Sequence, residues 1–212
     1  MGKIVFLSGI GTDVGKTVAT GLYAKRMLDA GLKVATVKLV ETGSKDGKSQ
    51  DVAVHRRLMG TKNLPEDAAG LTCPITYKFP ASPELAAQLE GKKVPVAKLV
   101  AAARKVAKRY DLTLVEGAGG LMVPLTARMT TLDLIVREKW PLMLVCTGEL
   151  GAINHALLSL EAIKARGVQL EKVLFNHLPG ETAAIAADNL KVVRRWLKAN
   201  LEGVTVDELP CL

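Results

Sequence analysis

A glycine-rich segment between an apolar run and a helical run constrains the fold more than any other feature of this 212-residue chain. The apolar run covers residues 3–8, and the segment that follows it reads Gly9-Ile-Gly-Thr-Asp-Val-Gly-Lys-Thr17. Glycines allow the backbone to turn its N–H groups toward an anion, and the N-terminus of the next helix adds a positive dipole end. The order of strand, glycine loop and helix predicts a phosphate-binding loop.

The last two residues of this loop carry the side chains that phosphate chemistry needs. Lys16 can reach the β- and γ-phosphates of a nucleotide, and the hydroxyl of Thr17 can bind Mg²⁺. The strict motif has four residues between its first glycine and the Gly-Lys pair, whereas five residues separate Gly9 from Gly15 here. The alternative is a glycine-rich turn that is followed by an ordinary surface lysine.

The remainder of the chain alternates apolar runs with helical runs. The spacing of apolar residues predicts strands over 3–8, 33–38, 112–116, 142–147, 172–175 and 204–206. It predicts helices over 16–30, 95–109, 152–166 and 183–199, and short helices over 51–59 and 83–89 in an otherwise loop-rich region. Near-continuous apolar strands separated by helices predict an α/β fold of the P-loop NTPase type, with a mostly parallel sheet covered by helices on both faces. No linker divides the chain, so we expect a single domain over 1–212.

Charge and cysteine content narrow the classes of partner. Lys and Arg outnumber Asp and Glu by 29 to 21, and the resulting net charge of +8 favours an anionic partner without specifying its kind. The chain has only three cysteines, a small and odd number that argues against a disulfide framework. Sparse cysteines favour a reducing, cytoplasmic compartment. No apolar stretch reaches the about 18 residues that a membrane span requires, so we expect no membrane partner.

Charged side chains stand at the ends of two predicted strands. Ligands of open α/β sheets bind at the carboxyl ends of the strands, so these positions are candidates for a site. Lys38 ends the second strand and either points into the cleft or lies at the edge with its charge in solvent. Glu116 ends the third strand and is placed either to bind Mg²⁺ or to cap a loop or helix.

Three further positions have two interpretations each. Asp51 follows Ser49-Gln50 at a predicted helix start, where it either binds a metal or stabilises the helix dipole. The segment before the helix at 152–166 either receives a carboxylate at the helix N-terminus or is a plain loop with Asn154 as the cap. The amide of Asn176 either contacts a nucleotide base or hydrogen-bonds the turn after its strand. The histidines show no zinc-ligand spacing.

Taken together, these segments resemble the dethiobiotin synthetase family over most of the chain. The resemblance rests on five segments: Gly9-Ile-Gly-Thr-Asp-Val-Gly-Lys-Thr17, Lys38-Leu-Val-Glu-Thr-Gly43, Ser82-Pro83, Val115-Glu-Gly-Ala-Gly-Gly120 and Leu150-Gly-Ala-Ile-Asn-His155. It implies a homodimeric, ATP- and Mg²⁺-dependent ligase that converts 7,8-diaminopelargonic acid and CO₂ into a cyclic urea. The sequence departs from the family pattern at Leu39, Thr42 and His177, where Pro, Ser and Asp are usual.

The resemblance also implies a role for individual residues. Lys38, Lys16 and Thr12 would be the catalytic residues, and Thr17, Asp51 and Glu116 would hold Mg²⁺. Substrate contacts would come from Thr12, Thr42, Gly151, Ala152, Ile153 and Asn154, the last four across the dimer interface. Nucleotide contacts would come from Asp13, Val14, Gly15, Lys16, Thr17, Val18, Asp51, Glu116, Gly117, Ala118, Gly119, Asn176 and His177.

Two other classes of protein share the first loop. A partitioning or regulatory ATPase would use the basic charge to bind DNA, and a related amidoligase would act on a larger carboxylate. Partitioning ATPases usually carry an additional lysine early in the loop, where this chain has Ile10 and Gly11. Its basic residues are also scattered, as at Lys92-Lys93 and Arg194-Arg195, so we expect no nucleic-acid partner.

Overall fold

The structure, a computed structural model, describes residues 2–211. Within this range the strands are β1 (Lys3–Gly9), β2 (Val34–Lys38), β3 (Glu41–Thr42), β4 (Thr76–Tyr77), β5 (Leu112–Gly120), β6 (Pro124–Thr126), β7 (Met129–Thr130), β8 (Leu142–Thr147), β9 (Leu170–Asn176) and β10 (Thr205–Leu209). The helices are α1 (Lys16–Asp29), α2 (Gln50–Met59), α3 (Pro65–Ala68), α4 (Pro83–Leu89), α5 (Val96–Ala107), α6 (Thr131–Glu138), α7 (Ala152–Ala165) and α8 (Ala183–Asn200).

Six strands form one parallel sheet in the order β10-β9-β8-β1-β5-β2. The first strand of the chain lies inside the sheet, between β8 and β5. Leu7 pairs with Glu116 across β1 and β5, and Lys38 pairs with Glu116 across β2 and β5. The register therefore brings the end of β1, the end of β2 and the carboxylate of β5 to one edge of the sheet.

The sheet is covered on both faces. Every residue of β2 and of β8 is buried, which a parallel sheet achieves only when helices pack against both sides. Helices α1 and α5 both contact β1, β2 and β5, while α7 contacts β8 and α8 contacts β10. The predicted fold class, a mostly parallel sheet with helices in a P-loop NTPase-like arrangement, is confirmed. No helix among residues 2–211 has the length and apolar character needed to span a membrane.

The predicted phosphate loop lies between β1 and α1. Gly15 is the N-cap of α1 and has a φ of 78°, in the left-handed region that favours glycine. A Cβ atom on Gly15 would lie 2.1 Å from Nδ2 of Asn176, so a side chain here meets a steric barrier as well as backbone strain. The loop can therefore pack directly against the end of β9.

Strand β5 is longer than the predicted strand over 112–116. It continues through Gly120, which pairs with Gly9 of β1. A Cβ on Gly120 would lie 3.4 Å from the carbonyl oxygen of Gly9, so the backbones of the two strands are in close contact here. The glycines that suggested the end of a strand instead let the strand run alongside the phosphate loop.

Helix α6 was not predicted from the apolar spacing. It begins with a capping box, in which the hydroxyl of Thr130 accepts the N–H of Asp133 and the carboxylate of Asp133 accepts the N–H of Thr130. The segment Thr130-Thr-Leu-Asp133 carries this signature in the sequence. The short helix α3 and the strand pairs β3–β4 and β6–β7 were also not predicted, whereas α2 and α4 lie within one residue of their predicted bounds.

Candidate active site

A polar cavity of about 480 Å³ opens at the carboxyl edge of the sheet, between the phosphate loop and the ends of β2 and β5. It collects side chains from the loop, from both strand ends and from the start of α2. Its lining residues are Thr12, Asp13, Gly15, Lys16, Thr17, Lys38, Val40, Glu41, Thr42, Gln50, Asp51, Glu116, Ala118 and Gly119.

Lys38 points into this cavity and is almost fully buried. Its ammonium lies 2.5 Å from Oδ2 of Asp51 and 2.9 Å from Oε1 of Glu116, and it donates to the carbonyl of Gly117 at 3.4 Å. Burial lowers the pKa of Lys38, but the negative charges of Glu116 and Asp51 outweigh it and hold the pKa above its ordinary value. Of the two interpretations of Lys38, the structure supports a cation in the cleft.

Glu116 is fully buried and accepts hydrogen bonds at both carboxylate oxygens. Oε1 accepts the hydroxyl of Thr17 at 3.0 Å and the ammonium of Lys38, while Oε2 lies 2.7 Å from Nε2 of His55. Burial alone raises the pKa of Glu116, but Lys38 and His55 reverse this effect and hold the pKa well below its usual range. The carboxylate is therefore charged, and it joins the phosphate loop to the end of β2.

Lys16 is the second cation of the cavity. It is buried, and its ammonium donates to the carbonyl of Gly11 at 2.8 Å. Burial and the nearby charge of Lys38 both lower the pKa of Lys16. Lys16 and Lys38 both line the same cavity, so a single anion there can be near both ammonium groups.

Three oxygen-bearing side chains of the cavity suit a hard divalent cation. They are the hydroxyl of Thr17 and the carboxylates of Asp51 and Glu116, and oxygen ligands of this kind are what Mg²⁺ prefers. Asp51 and Glu116 already share one positive charge, the ammonium of Lys38. Residues 2–211 contain no cluster of three His, Cys, Asp or Glu side chains arranged as a complete metal site. Two carboxylates and a hydroxyl therefore fit a metal that takes its other ligands from phosphate and water.

The chain matches a family model described as an AAA domain over residues 3–206. It is 43% identical over 198 residues to an ATP-dependent dethiobiotin synthetase of Haemophilus ducreyi, with 93% of each chain covered. It is 47% identical to the corresponding protein of Haemophilus influenzae, with 84% of this chain and 93% of that one covered. The chain belongs to the dethiobiotin synthetase family. The family resemblance stated from the sequence is thereby confirmed.

Solved structures of more distant proteins share the fold. A ParA family ATPase from Chlorobium tepidum aligns with a TM-score of 0.53 at 12% identity, covering 98% of this chain and 84% of that one. The signal recognition particle receptor FtsY from Elizabethkingia anophelis, in complex with GDP, aligns with a TM-score of 0.53 at 16% identity, covering 97% of this chain and 56% of that one. At this level of identity the likeness extends to the P-loop NTPase-like fold alone.

Several residues that the family pattern singles out lie beside the cavity and are not among its lining residues. Val18 follows Thr17 within α1, and Gly117 reaches the site through its carbonyl, which accepts from Lys38. Nδ2 of Asn176 donates to the carbonyl of Val14 at 3.2 Å, so this amide hydrogen-bonds the phosphate loop. Oδ1 of Asn176 is buried without a hydrogen-bond partner among residues 2–211.

His177 sits next to Asn176 in a separate charged group. Its ring nitrogens contact the carboxylates of Glu181 and Glu208, the latter at 3.2 Å, and its ring packs edge-on against Phe175. Hydrogen bonding to Glu181 and Glu208 raises the pKa of His177 despite its partial burial. Where the family usually has an acid, this chain carries a base that two acids hold in place.

The segment Gly151–Asn154 lies away from the cavity, at the start of α7. Gly151 is the N-cap, with a φ of 89°, so the interpretation of Asn154 as the helix cap is wrong. Asn154 is exposed in the first turn, and Leu150 next to the helix is 87% exposed. A φ of 89° lies in the left-handed region, which glycine adopts without the steric cost of a Cβ, and this explains why glycine stands here.

Two titratable side chains beside the predicted site residues, Glu41 and His55, were not predicted from the sequence. Glu41 accepts the backbone N–H of Gln50 at 2.8 Å and also contacts the hydroxyl of Ser49, which is the N-cap of α2. Burial raises the pKa of Glu41. His55 contacts Glu116 and lies four residues after Asp51, on the same face of α2. This spacing is the sequence signal that could have linked His55 to the site.

Proposed function

We propose that this chain is an ATP-dependent dethiobiotin synthetase, which closes a cyclic urea on 7,8-diaminopelargonic acid with CO₂ and MgATP. Membership of the family supports the reaction class, and the cavity supplies groups that suit it. The observation that carries the proposal is the convergence of Lys16 from the phosphate loop and Lys38 from the end of β2 on one cavity.

Two lysines are needed because the reaction brings two anions together. A carbamate, formed from one substrate amine and CO₂, attacks the γ-phosphate of ATP, and both reactants are negatively charged. Lys16 holds the β- and γ-phosphates, and Lys38 stabilises the carbamate and the phosphoryl group as it transfers. Cations that are already in place stabilise the charge that develops during transfer without having to reorganise.

The nucleotide lies along the phosphate loop in this proposal. The backbone of Asp13, Val14 and Gly15 surrounds the phosphates, and Val18 continues the first turn of α1. The ends of β5 and β9 complete the nucleotide site through Gly117, Ala118, Gly119, Asn176 and His177. Thr17, Asp51 and Glu116 would hold Mg²⁺, which when bound would neutralise phosphate charge.

No side-chain nucleophile is required for the remaining steps. The carbamate oxygen forms a bond to the γ-phosphorus and ADP leaves, giving a carbamic–phosphoric anhydride. The second amine of the same molecule then attacks the carbonyl carbon and expels phosphate, which closes the ring. Because the attacking amine belongs to the bound substrate, proximity supplies much of the rate. Thr12 and Thr42, at the cavity wall, orient the substrate.

The substrate carboxylate is received by Gly151, Ala152, Ile153 and Asn154 of a second copy of the chain. The N-terminus of α7 offers unpaired backbone N–H groups and a positive dipole end. Exposed apolar side chains near this helix support a homodimer, since Met122, Leu150 and Leu158 are each more than half exposed. The enzyme works in the cytoplasm, where free thiols persist.

The test is a coupled assay of the purified chain with the diamine, ¹³C-bicarbonate and MgATP. We expect phosphate release only when the diamine is present, and a product that carries ¹³C in its ring carbonyl. A nine-carbon acid with a single amine is the matched control, because it can form a carbamate but cannot close a ring. Phosphate release that is independent of the diamine, or that is stimulated by duplex DNA instead, would contradict the proposal.

A further inference from the structure

His55 lies on the helix that also supplies Asp51. The two residues are four apart on α2, so they share a face of the helix, and that face points toward the end of β5. The carboxylate of Asp51 reaches Lys38, while the imidazole of His55 reaches Glu116 one turn further along. One helix therefore contacts both partners of the buried Lys38–Glu116 pair.

The contacts of Glu116 divide its two oxygens between different neighbours. Oε2 contacts Nε2 of His55 at 2.7 Å, whereas Oε1 is shared by Lys38 and Thr17 at 2.9 and 3.0 Å. Thr17 and Lys38 both line the cavity, so Oε1 is the oxygen on the cavity side. His55 thus occupies the oxygen that faces away from the reacting groups.

The imidazole of His55 has no other polar role among residues 2–211. It is fully buried, and its Nδ1 has no hydrogen-bond partner in that range. The partnerless Nδ1 makes this ring costly to bury. Its contact with Oε2 of the buried Glu116 carboxylate offsets that cost, because an apolar side chain at this position would leave that oxygen without a partner.

We propose that His55 is a positioning residue that fixes Glu116 as a one-oxygen ligand for Mg²⁺ at the nucleotide site. This inference rests on the proposed function only for the assignment of Glu116 as a metal ligand. Mg²⁺ requires near-ideal octahedral geometry, whereas Ca²⁺ also accepts both oxygens of a carboxylate. By holding Oε2, His55 keeps the carboxylate from turning both oxygens toward the metal, and so it favours Mg²⁺ over Ca²⁺.

Metal binding in the presence of ADP tests this inference without the ligase reaction. Binding of Mn²⁺ is followed by electron paramagnetic resonance, and Mg²⁺ and Ca²⁺ are measured by competition. His55→Leu removes the hydrogen bond, and partners of this kind contribute about 10–100-fold to metal affinity. We expect a loss of that size for Mg²⁺ and a smaller loss for Ca²⁺. Binding of ADP in EDTA should be unchanged.

Two further substitutions keep the test decisive if His55→Leu does not fold. Gln places an amide where Nε2 stands, so His55→Gln should recover most of the Mg²⁺ affinity, whereas the shorter Asn cannot reach Oε2 and should not. Val52→Ala is the control, because Val52 is buried on the same helix and is not among the residues that contact Glu116.

Equal Mg²⁺ affinity in the Gln and Asn variants, or an equal loss in Val52→Ala, would overturn the inference. An unchanged ratio of Mg²⁺ to Ca²⁺ affinity would do the same. This test and the test of the proposed function can give different results. If no dethiobiotin forms but the metal affinities change as expected, the substrate assignment is wrong and the role of His55 is still supported.

Discussion

The ammonium of Lys38 lies 2.9 Å from Oε1 of Glu116, and the two residues are direct neighbours across β2 and β5. A third residue, Thr17 of the phosphate loop, donates to the same oxygen. The sheet register therefore couples the predicted phosphate loop to the buried cation at the end of β2. Because all three groups share one carboxylate, a change at any of them alters the charge that the others experience.

Replacing Lys38 with Gln should slow turnover far more than it weakens nucleotide binding. In the proposed mechanism Lys38 stabilises charge that develops during transfer, and the loss of one such group costs about 10²–10³ in kcat. The phosphate loop and Lys16 remain, so we expect the Kd for ATP to stay near its original value. Steady-state kinetics and nucleotide titration measure the two effects separately.

The control for this substitution is Lys25→Gln. Lys25 forms an exposed ion pair with Asp29 on α1 and is not among the residues that line the cavity. The Lys25→Gln substitution should therefore leave kcat unchanged. The melting temperature of Lys38→Gln must be measured as well, because removing one partner of a buried ion pair leaves an uncompensated charge and strongly destabilises the folded protein. An original kcat in folded Lys38→Gln would remove this lysine from the mechanism.

Gly15→Ala should destabilise the protein more than Gly31→Ala does. Both glycines have a positive φ, 78° and 89°, and an alanine in this region costs roughly 1–2 kcal/mol at either site. A Cβ on Gly31 has no neighbour within 4 Å, whereas a Cβ on Gly15 would lie 2.1 Å from Nδ2 of Asn176. The difference between the two free energies of unfolding, measured in urea, reports the clash with Asn176.

The clash also predicts coupling between the two positions. In an Asn176→Ala background the added penalty of Gly15→Ala should shrink, because the atom that the new Cβ meets is gone. Residues in contact show such non-additive effects, whereas distant residues do not. Equal penalties for Gly15→Ala in both backgrounds would show that Asn176 does not determine the tolerance of the loop.

The sequence predicts those parts of the site that follow strand ends. Lys38 and Glu116 could be predicted because parallel strands bring their carboxyl ends to one edge, and the structure places both in the cavity. His55 was not predicted, because its four-residue spacing from Asp51 indicates a role only when it is known that this face of α2 turns toward β5. Asn176 left two interpretations because an amide suits both a base and a loop carbonyl.

The same distinction applies to the fold. Strands with continuous apolar character were predicted because an apolar run can be recognised without knowing which strands pair with it. Strand β8, for example, has the predicted bounds. Strand β5 was predicted too short because its last residues are glycines, whose extended course depends on pairing with β1. Helix α6 has only eight residues, so it gives a weak periodic signal, and its capping box was the better indicator.

The capping box of α6 should contribute less stability as the pH falls. The backbone N–H of Thr130, the guanidinium of Arg166 and the hydroxyl of Thr130 lower the pKa of Asp133 to about 2. In the unfolded chain this pKa is about 3.9, so the native state binds fewer protons between these values. The stabilisation is therefore complete above about pH 5 and is lost as the pH falls toward 2.

Urea denaturation at several pH values measures this effect. The difference in unfolding free energy between the original chain and Asp133→Asn should be largest at pH 5 and should shrink toward pH 3. Thr130→Val, which keeps the shape but removes one hydroxyl partner, should give a smaller difference with the same trend. A difference that stays constant over this range would mean that Asp133 is not held in its charged form by these neighbours.

Thiol reactivity should separate the three cysteines by their burial. Cys211 is exposed, Cys73 is partly buried and Cys146 is fully buried. Burial raises the pKa of Cys73 to about 11 and that of Cys146 to about 12, so neither has an appreciable thiolate fraction at pH 8. A disulfide reagent should therefore react quickly with one thiol per chain and slowly with the other two.

Urea should make all three thiols react at similar rates, and Cys211→Ser should abolish only the fast phase. Two fast thiols in the folded protein would show that the strand end at Cys146 or the loop at Cys73 opens more readily than its packing indicates.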